Sequence, residues 1–538
     1  MTRLRKGIFT SVMAGALLTL AYAPAVAGPG KLGDKNPDVR AEGVQEAARA
    51  NNRAAASAIL AALAAENDGP AGYRMAEAVG WLNSEEALDE IDKTVLKWQQ
   101  PKSLFGAYWT YMGLLSQKQA KADAIVLKAF TETKDKDVFI RAAALEALAE
   151  AERGDIGVDP LLTVLNDYDP KWDTASPIIV LTAVTAAHKL AKGVSQEQVF
   201  KVVLALAEVL AKTKDDQVQW FTAKSLSNIT GEDLYTDPEF WKWWVQMGGK
   251  KVEKREEGAT VAGRDVPKFF KAAAVGKRVM FVIDISGSMQ HPVELPKDMK
   301  NPPPPPKEDK GPTTGGGKVG KGKEAEEEKK PEIPPPDYSK VKSKLDLAKV
   351  ELIHTLKYLP EDYFFNIVIY HTPHDWIDNG TKAFVKATKA NKDKFIKKVE
   401  ALNWAALTNI HGALTRGFCG HMKGALDPMK LTDAANPAWD PECLKSGATT
   451  IFFLTDGFPT ISDDTTNNGE VGRTTPTGNG RYVDMNNIIL DVKRMNVFRK
   501  VVINTIGIGP HPQQLLQALA QMSGGEYVDR SGAATDRD

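Results

Sequence analysis

Four near-continuous apolar runs restrict the C-terminal half of this 538-residue chain more than any other feature: Val279 to Ile283, Phe364 to Tyr370, Ile451 to Leu454, and Val501 to Ile508 with a break at Asn504. A strand with one wet face alternates polar and apolar residues. A strand buried on both faces does not, and burial on both faces marks a parallel sheet covered by helices. Helical patterns lie between the runs. Val341, Leu345, Ala348, Leu352, Leu356 and Leu359 recur at spacings of three and four and share one helix face. Strand and helix in alternation predict an α/β domain over residues 277–530, with a Rossmann-like, open, mostly parallel sheet.

The N-terminal half reads differently. Residues 34–249 are rich in Ala, Leu and Val at helical spacing, with short polar breaks and no strand pattern. Val39-Arg40, Ile140-Arg141 and Val218-Gln219 each follow an Asp-containing turn and open a frame with small residues three and six or seven positions on. Tyr73-Arg74 after Gly69-Pro70 is a weaker fourth copy. Small residues at that spacing let paired helices approach and stack, which predicts an α-solenoid. The segment resembles HEAT-type repeats, which implies a curved protein-binding rod. Trp241, Trp243 and Trp244 read as core and cap packing rather than a ligand platform. A charged connector over residues 250–276 follows.

The first 27 residues read as an export signal: Arg3, Arg5 and Lys6 precede an apolar stretch from Ile8 to Ala21, and Ala25-Val26-Ala27 is a cleavage pattern. That stretch is shorter than the ~20 residues a membrane span needs, so the expectation is an exported protein, periplasmic or secreted, with no span after cleavage. The whole chain balances 69 basic against 69 acidic side chains, which gives no footprint for nucleic acid. Two cysteines, Cys419 and Cys443, sit in one region of a chain expected in an oxidising compartment, and a disulfide between them is expected.

Between residues 290 and 338 the apolar pattern stops. Twelve of the 31 prolines lie there, among Lys, Glu and Gly, and such a stretch cannot bury enough surface to offset its ordering entropy. It is expected to be a disordered insert, rooted next to the turn that ends the first strand. A short tail, 531–538, ends the sequence.

That turn carries the chemistry. Asp284, Ser286 and Ser288 follow the first buried run, where open α/β sheets bind ligands. All three side chains offer hard oxygen, which suits a hard divalent cation better than zinc. Phe281-Val-Ile-Asp284-Ile-Ser286-Gly-Ser288-Met289, then Thr408-Asn409-Ile410, then Phe453-Leu-Thr455-Asp456-Gly457-Phe-Pro459-Thr460 resemble the von Willebrand factor type A domain (VWA), whose five oxygen residues form a metal-ion-dependent adhesion site (MIDAS). Carried over by motif, the resemblance implies that Asp284, Ser286, Ser288, Thr408 and Asp456 hold Mg²⁺, or Mn²⁺ or Ca²⁺. It also implies that the ion accepts a carboxylate from a protein partner. The sequence departs from the family in the second loop, where Ala406-Leu407 stand before Thr408 in place of a frequent glycine.

The functional expectation is therefore a non-enzymatic, metal-dependent binding or scaffold protein with the helical rod as a second interaction surface. The alternative is a Mg²⁺-dependent hydrolase or phosphoryl-transfer enzyme using the same ion. Other signals are weaker. Gly315-x-x-x-x-Gly320-Lys321 lacks the Ser or Thr, the strand and the helix of a phosphate loop. His371-x-x-His374, even with His411 or His291, reads as scattered surface histidine rather than zinc ligands.

Overall fold

The computed structural model describes residues 29–98, 104–133, 138–175, 177–233, 235–251, 267–295, 299, 333–431, 436–463 and 480–531. The expected leader, most of the Pro-rich insert, residues 252–266 of the connector and the tail past residue 531 lie outside them. Among the described residues no helix is long and apolar enough to cross a membrane.

Helices fill the N-terminal half: α1 (Pro37–Ala48), α2 (Arg53–Ala65), α3 (Gly69–Val79), α4 (Glu85–Val95), α5 (Leu104–Ser116), α6 (Ala120–Thr131), α7 (Val138–Glu150), α8 (Gly154–Asn166), α9 (Pro177–Leu190), α10 (Gln196–Lys212), α11 (Asp216–Thr230) and α12 (Pro238–Gln246). Many of the polar breaks in the sequence are their N-caps. Asn52, Asp68, Ser84, Asp215 and Asp237 each accept a hydrogen bond from a backbone N–H of the first turn. Odd-numbered helices pack on one another in succession, and so do the even-numbered ones, which gives two layers. The four sequence frames all fall on the odd layer, in α1, α3, α7 and α11. Small residues there do what the frames require: a Cβ on Gly72 of α3 would fall 2.1 Å from the Trp109 indole of α5. Of the three tryptophans in α12, Trp241 and Trp244 are buried and Trp243 is exposed.

The C-terminal half is built on a seven-stranded sheet: β1 (Arg278–Asp284), β2 (Phe364–Tyr370), β3 (His374–Trp376), β4 (Val385–Lys386), β5 (Thr450–Thr455), β6 (Val502–Ile508) and β7 (Tyr527–Arg530). Its order is β7-β6-β5-β1-β2-β3, with β4 also on β2. The pairs β7/β6, β6/β5, β5/β1 and β1/β2 are parallel, while β3 and β4 run antiparallel to β2. The sheet is thus mixed but mostly parallel. The connector contributes more than a tether, because Phe269 and Phe270 of a small hairpin (residues 268–273) are buried in the same core.

Alternate strand residues face opposite layers, as a doubly covered sheet demands. Phe281, Ile283, Phe365, Ile367 and Phe452 pack on α13 (Lys344–Tyr358) and α14 (Lys389–Glu400). Met280, Val282, Val368, Ile451 and Phe453 pack on α15 (Ile410–Cys419), α16 (Met485–Asn496) and α17 (Gln513–Ser523). The chain passes from β1 to β2 on one side and later fills β5, β6 and β7 on the other. The topological switch therefore lies between β1 and β5.

The two halves share a seam. Helix α16 lies against α3, and Phe498 packs on Phe105 and Tyr108 with ring centroids 5.4 and 5.7 Å apart. Ion pairs flank these rings: Lys500 to Glu146 at 2.8 Å, Lys493 to Glu150 at 2.6 Å and Arg481 to Asp68 at 3.1 Å. The odd-helix layer is in this way covered by the chain's own α/β half.

One expectation is corrected. Cys419 and Cys443 are both buried, free thiols. The Cys443 Sγ lies 3.7 Å from the backbone carbonyl of Cys419.

Candidate metal centre

Asp284 ends β1 and Thr455 ends β5, and the parallel register that pairs Ile283 with Leu454 sets the two side by side at the switch. Thr455 Oγ1 donates to Asp284 Oδ2 at 2.7 Å, and the Ser286 N–H donates to Asp284 Oδ1 at 2.7 Å. These two bonds fix the carboxylate plane and fold the turn back on itself. Ser286 Oγ and Ser288 Oγ are then 3.2 Å apart, and Ser288 Oγ donates to Asp456 Oδ1 at 2.7 Å.

Thr408 arrives from the loop between α14 and α15. Two bonds clamp that loop to the one after β5: Thr460 Oγ1 accepts from the Thr408 N–H at 2.8 Å, and the Thr460 N–H donates to the Thr408 carbonyl at 2.9 Å. Gly457 lies between the two loops. A Cβ there would meet both Ser288 Oγ at 3.4 Å and Thr408 Oγ1 at 3.5 Å, so the hydroxyls of both loops reach the same place. Asn409 caps α15 by accepting from the Gly412 N–H at 3.0 Å. All five residues singled out in the sequence therefore converge on one point.

Leu407 shows what the missing glycine does. Its φ is 33°, in the left-handed region that glycine adopts freely and a γ-branched residue does not. The loop keeps the glycine-like backbone while bearing a leucine, and that side chain is exposed, as are Trp404 earlier in the loop and Phe458 just after Gly457.

Electrostatics favour a cation. Asp284 is fully buried and Asp456 is 2% exposed. Burial, and then the neighbouring charge of Asp456, pushes the Asp284 carboxyl up to about 7. The five side chains all offer hard oxygen, and a divalent ion would offset the cost of ionising Asp284, so Asp284, Ser286, Ser288, Thr408 and Asp456 could hold one. Among the described residues no group of three or more His, Cys, Asp or Glu side chains is placed to hold a metal. An ion at this point would depend on the hydroxyls as well as the two carboxylates.

No protein-family profile matches the chain, and no curated protein sequence matches it.

Two features escaped the sequence. The first is Lys344, the opening residue of α13, whose Nζ lies 2.7 Å from Asp456 Oδ2 with the side chain 8% exposed. A lysine in the first turn of a helix opposes the helix dipole, and that anomaly was its only signal. The second is a set of histidine–carboxylate pairs behind the site. His374 Nε2 contacts Asp463 Oδ2 at 2.6 Å while Arg416 Nε donates to His374 Nδ1 at 2.8 Å, and His411 Nε2 contacts Asp491 Oδ2 at 2.9 Å. Of the four histidines weighed as zinc ligands, His374 and His411 are buried rather than on the surface, and each is held by one carboxylate close to the loop that carries Thr408.

Proposed function

We propose that the chain is an exported, metal-dependent protein-binding or scaffold protein. Its C-terminal half is a VWA domain with a MIDAS, and its N-terminal half is a HEAT-like solenoid. The carrying observation is the meeting of Asp284, Ser286, Ser288, Thr408 and Asp456 at the switch point of a mostly parallel sheet. Two carboxylates and three neutral hydroxyls leave a divalent ion short of both charge and ligands, so it takes an acidic side chain from a partner. The exposed Trp404, Leu407 and Phe458 support a macromolecular partner over a small substrate, since large apolar groups beside a polar centre are the anatomy of a protein interface. The odd helices face the α/β half, which leaves the even layer, with exposed Leu204 and Trp243, as the second surface. Export rests on the basic and apolar pattern of residues 1–27.

The test is capture from a cell-envelope extract on immobilised protein, in Mg²⁺ and in EDTA, with Asp284→Ala as control. Partners retained only by the wild type in Mg²⁺ are expected. The same proteins retained in EDTA and by the variant would overturn the proposal.

A further inference from the structure

Lys344 occupies a place prepared for it. Ser343 caps α13 by accepting from the Asp346 N–H at 3.1 Å, and the Lys344 N–H donates to the His291 carbonyl at 3.0 Å. The helix start is thereby fixed to the strand-end turn that holds Ser286 and Ser288. The lysine stem then passes Gly509, beyond the end of β6. A Cβ at Gly509 would lie 2.8 Å from Lys344 Cε, and the φ of 61° there favours glycine. The ammonium ends on Asp456 Oδ2, the oxygen that Ser288 does not use.

From this geometry we infer that Lys344 is a resident counter-ion of the oxygen cluster, and that it opposes the divalent ion for Asp456. This rests on the metal-binding reading above and names how that site is regulated. With both carboxylates ionised, the ammonium leaves the cluster a net charge of −1 in place of −2. A divalent ion entering between Ser286, Ser288 and Asp456 meets a fixed positive charge in a water-poor pocket, where repulsion between like charges is screened least. Metal is held more weakly than the five oxygens alone would hold it, and its occupancy follows the surrounding concentration. Without metal, the same lysine keeps the apo site from unfolding under its own buried charge.

The experiment compares the full-length wild type with Lys344→Met, Lys344→Gln and Lys344→Arg. Mg²⁺ and Mn²⁺ affinities are read by calorimetry, and melting temperatures are read in EDTA and in saturating MgCl₂. Both neutral variants are expected to bind Mg²⁺ at least about tenfold more tightly than wild type, or about 1.4 kcal/mol, and Lys344→Arg about as wild type. In EDTA the neutral variants should melt lower, with a larger gain on adding Mg²⁺. Folded neutral variants that bind Mg²⁺ no more tightly than a metal-binding wild type would overturn the inference. If no protein binds metal, the metal-binding reading fails. The EDTA melting points then still decide the lysine's role: a lower value for both neutral variants supports a counter-ion, and an unchanged one overturns it.

Discussion

The ring of Tyr482 lies flat on the ring of His411, with centroids 3.8 Å apart and planes 5° from parallel. Tyr482 also donates its hydroxyl to Asp68 Oδ2 at 2.7 Å, so one side chain links the helical half to the helix that begins just after Thr408. Tyr482→Phe removes only the hydrogen bond and should cost about 1 kcal/mol. Tyr482→Ala also removes the stack and should cost about 3 kcal/mol. Urea unfolding checks both, and equal costs would mean that the ring contact contributes nothing.

Asp284 sets the second expectation. At a free Mg²⁺ concentration a hundred times the dissociation constant, binding should stabilise the wild type by about 2.7 kcal/mol. Asp284→Asn keeps the shape but removes the charge, and its melting point should not respond to Mg²⁺. A variant that gains as much as wild type would place the ion elsewhere.

Leu407 offers a separation of stability from binding. Its left-handed backbone costs a non-glycine residue about 1–2 kcal/mol, and its exposed side chain contributes little packing. Leu407→Gly should therefore leave stability unchanged or raise it by up to about 1 kcal/mol, while weakening capture of the partner. A clear fall in urea midpoint would show that the leucine side chain matters to the fold.

The pH dependence follows from His188. Burial, and then the repulsion of Lys189 and Lys500, lower this imidazole to about 4 in the folded chain, against about 6.5 when unfolded. Between those values the unfolded chain binds the proton and the folded one does not, so stability falls as pH drops from 6.5 to 4. His188→Gln should flatten that part of the pH profile of the urea midpoint. An identical slope in both proteins would assign the loss to other groups.

The thiols make a chemical prediction. Burial pushes Cys443 up to about 12 and raises Cys419 as well, so neither is a thiolate near neutrality. Iodoacetamide should leave the native protein unlabelled and add two adducts after denaturation without reductant. Labelling of neither cysteine under those conditions would restore the bridge that the sequence led one to expect.

The strands were legible because burial on both faces writes itself as unbroken apolar runs, and the helical half because its N-cap residues fall between periodic segments. Asp284, Ser286 and Ser288 were legible because they share the turn after the first buried run, whereas Thr408 and Asp456 came only from the resemblance of their motifs to the VWA family. Lys344 was not: a lysine 60 residues from Asp284 reads as a solvated side chain until Gly509 is seen to make room for it. Nor was the seam, since Phe105, Tyr108 and Phe498 look like ordinary core residues of their own halves. The cysteines misled because nearness in sequence does not by itself make a bond, and both thiols are free and buried.

The ion pairs along that seam reach further than packing. Glu146, Glu150 and Asp68 belong to the helical half and find their partners Lys500, Lys493 and Arg481 in the other. Separating the two halves would break all three pairs at once, although Glu150 would keep a second partner, Lys189 at 3.1 Å within the helical half. The two parts are consequently not interchangeable modules: a recombination that transplanted either one would have to rewrite the seam along with it.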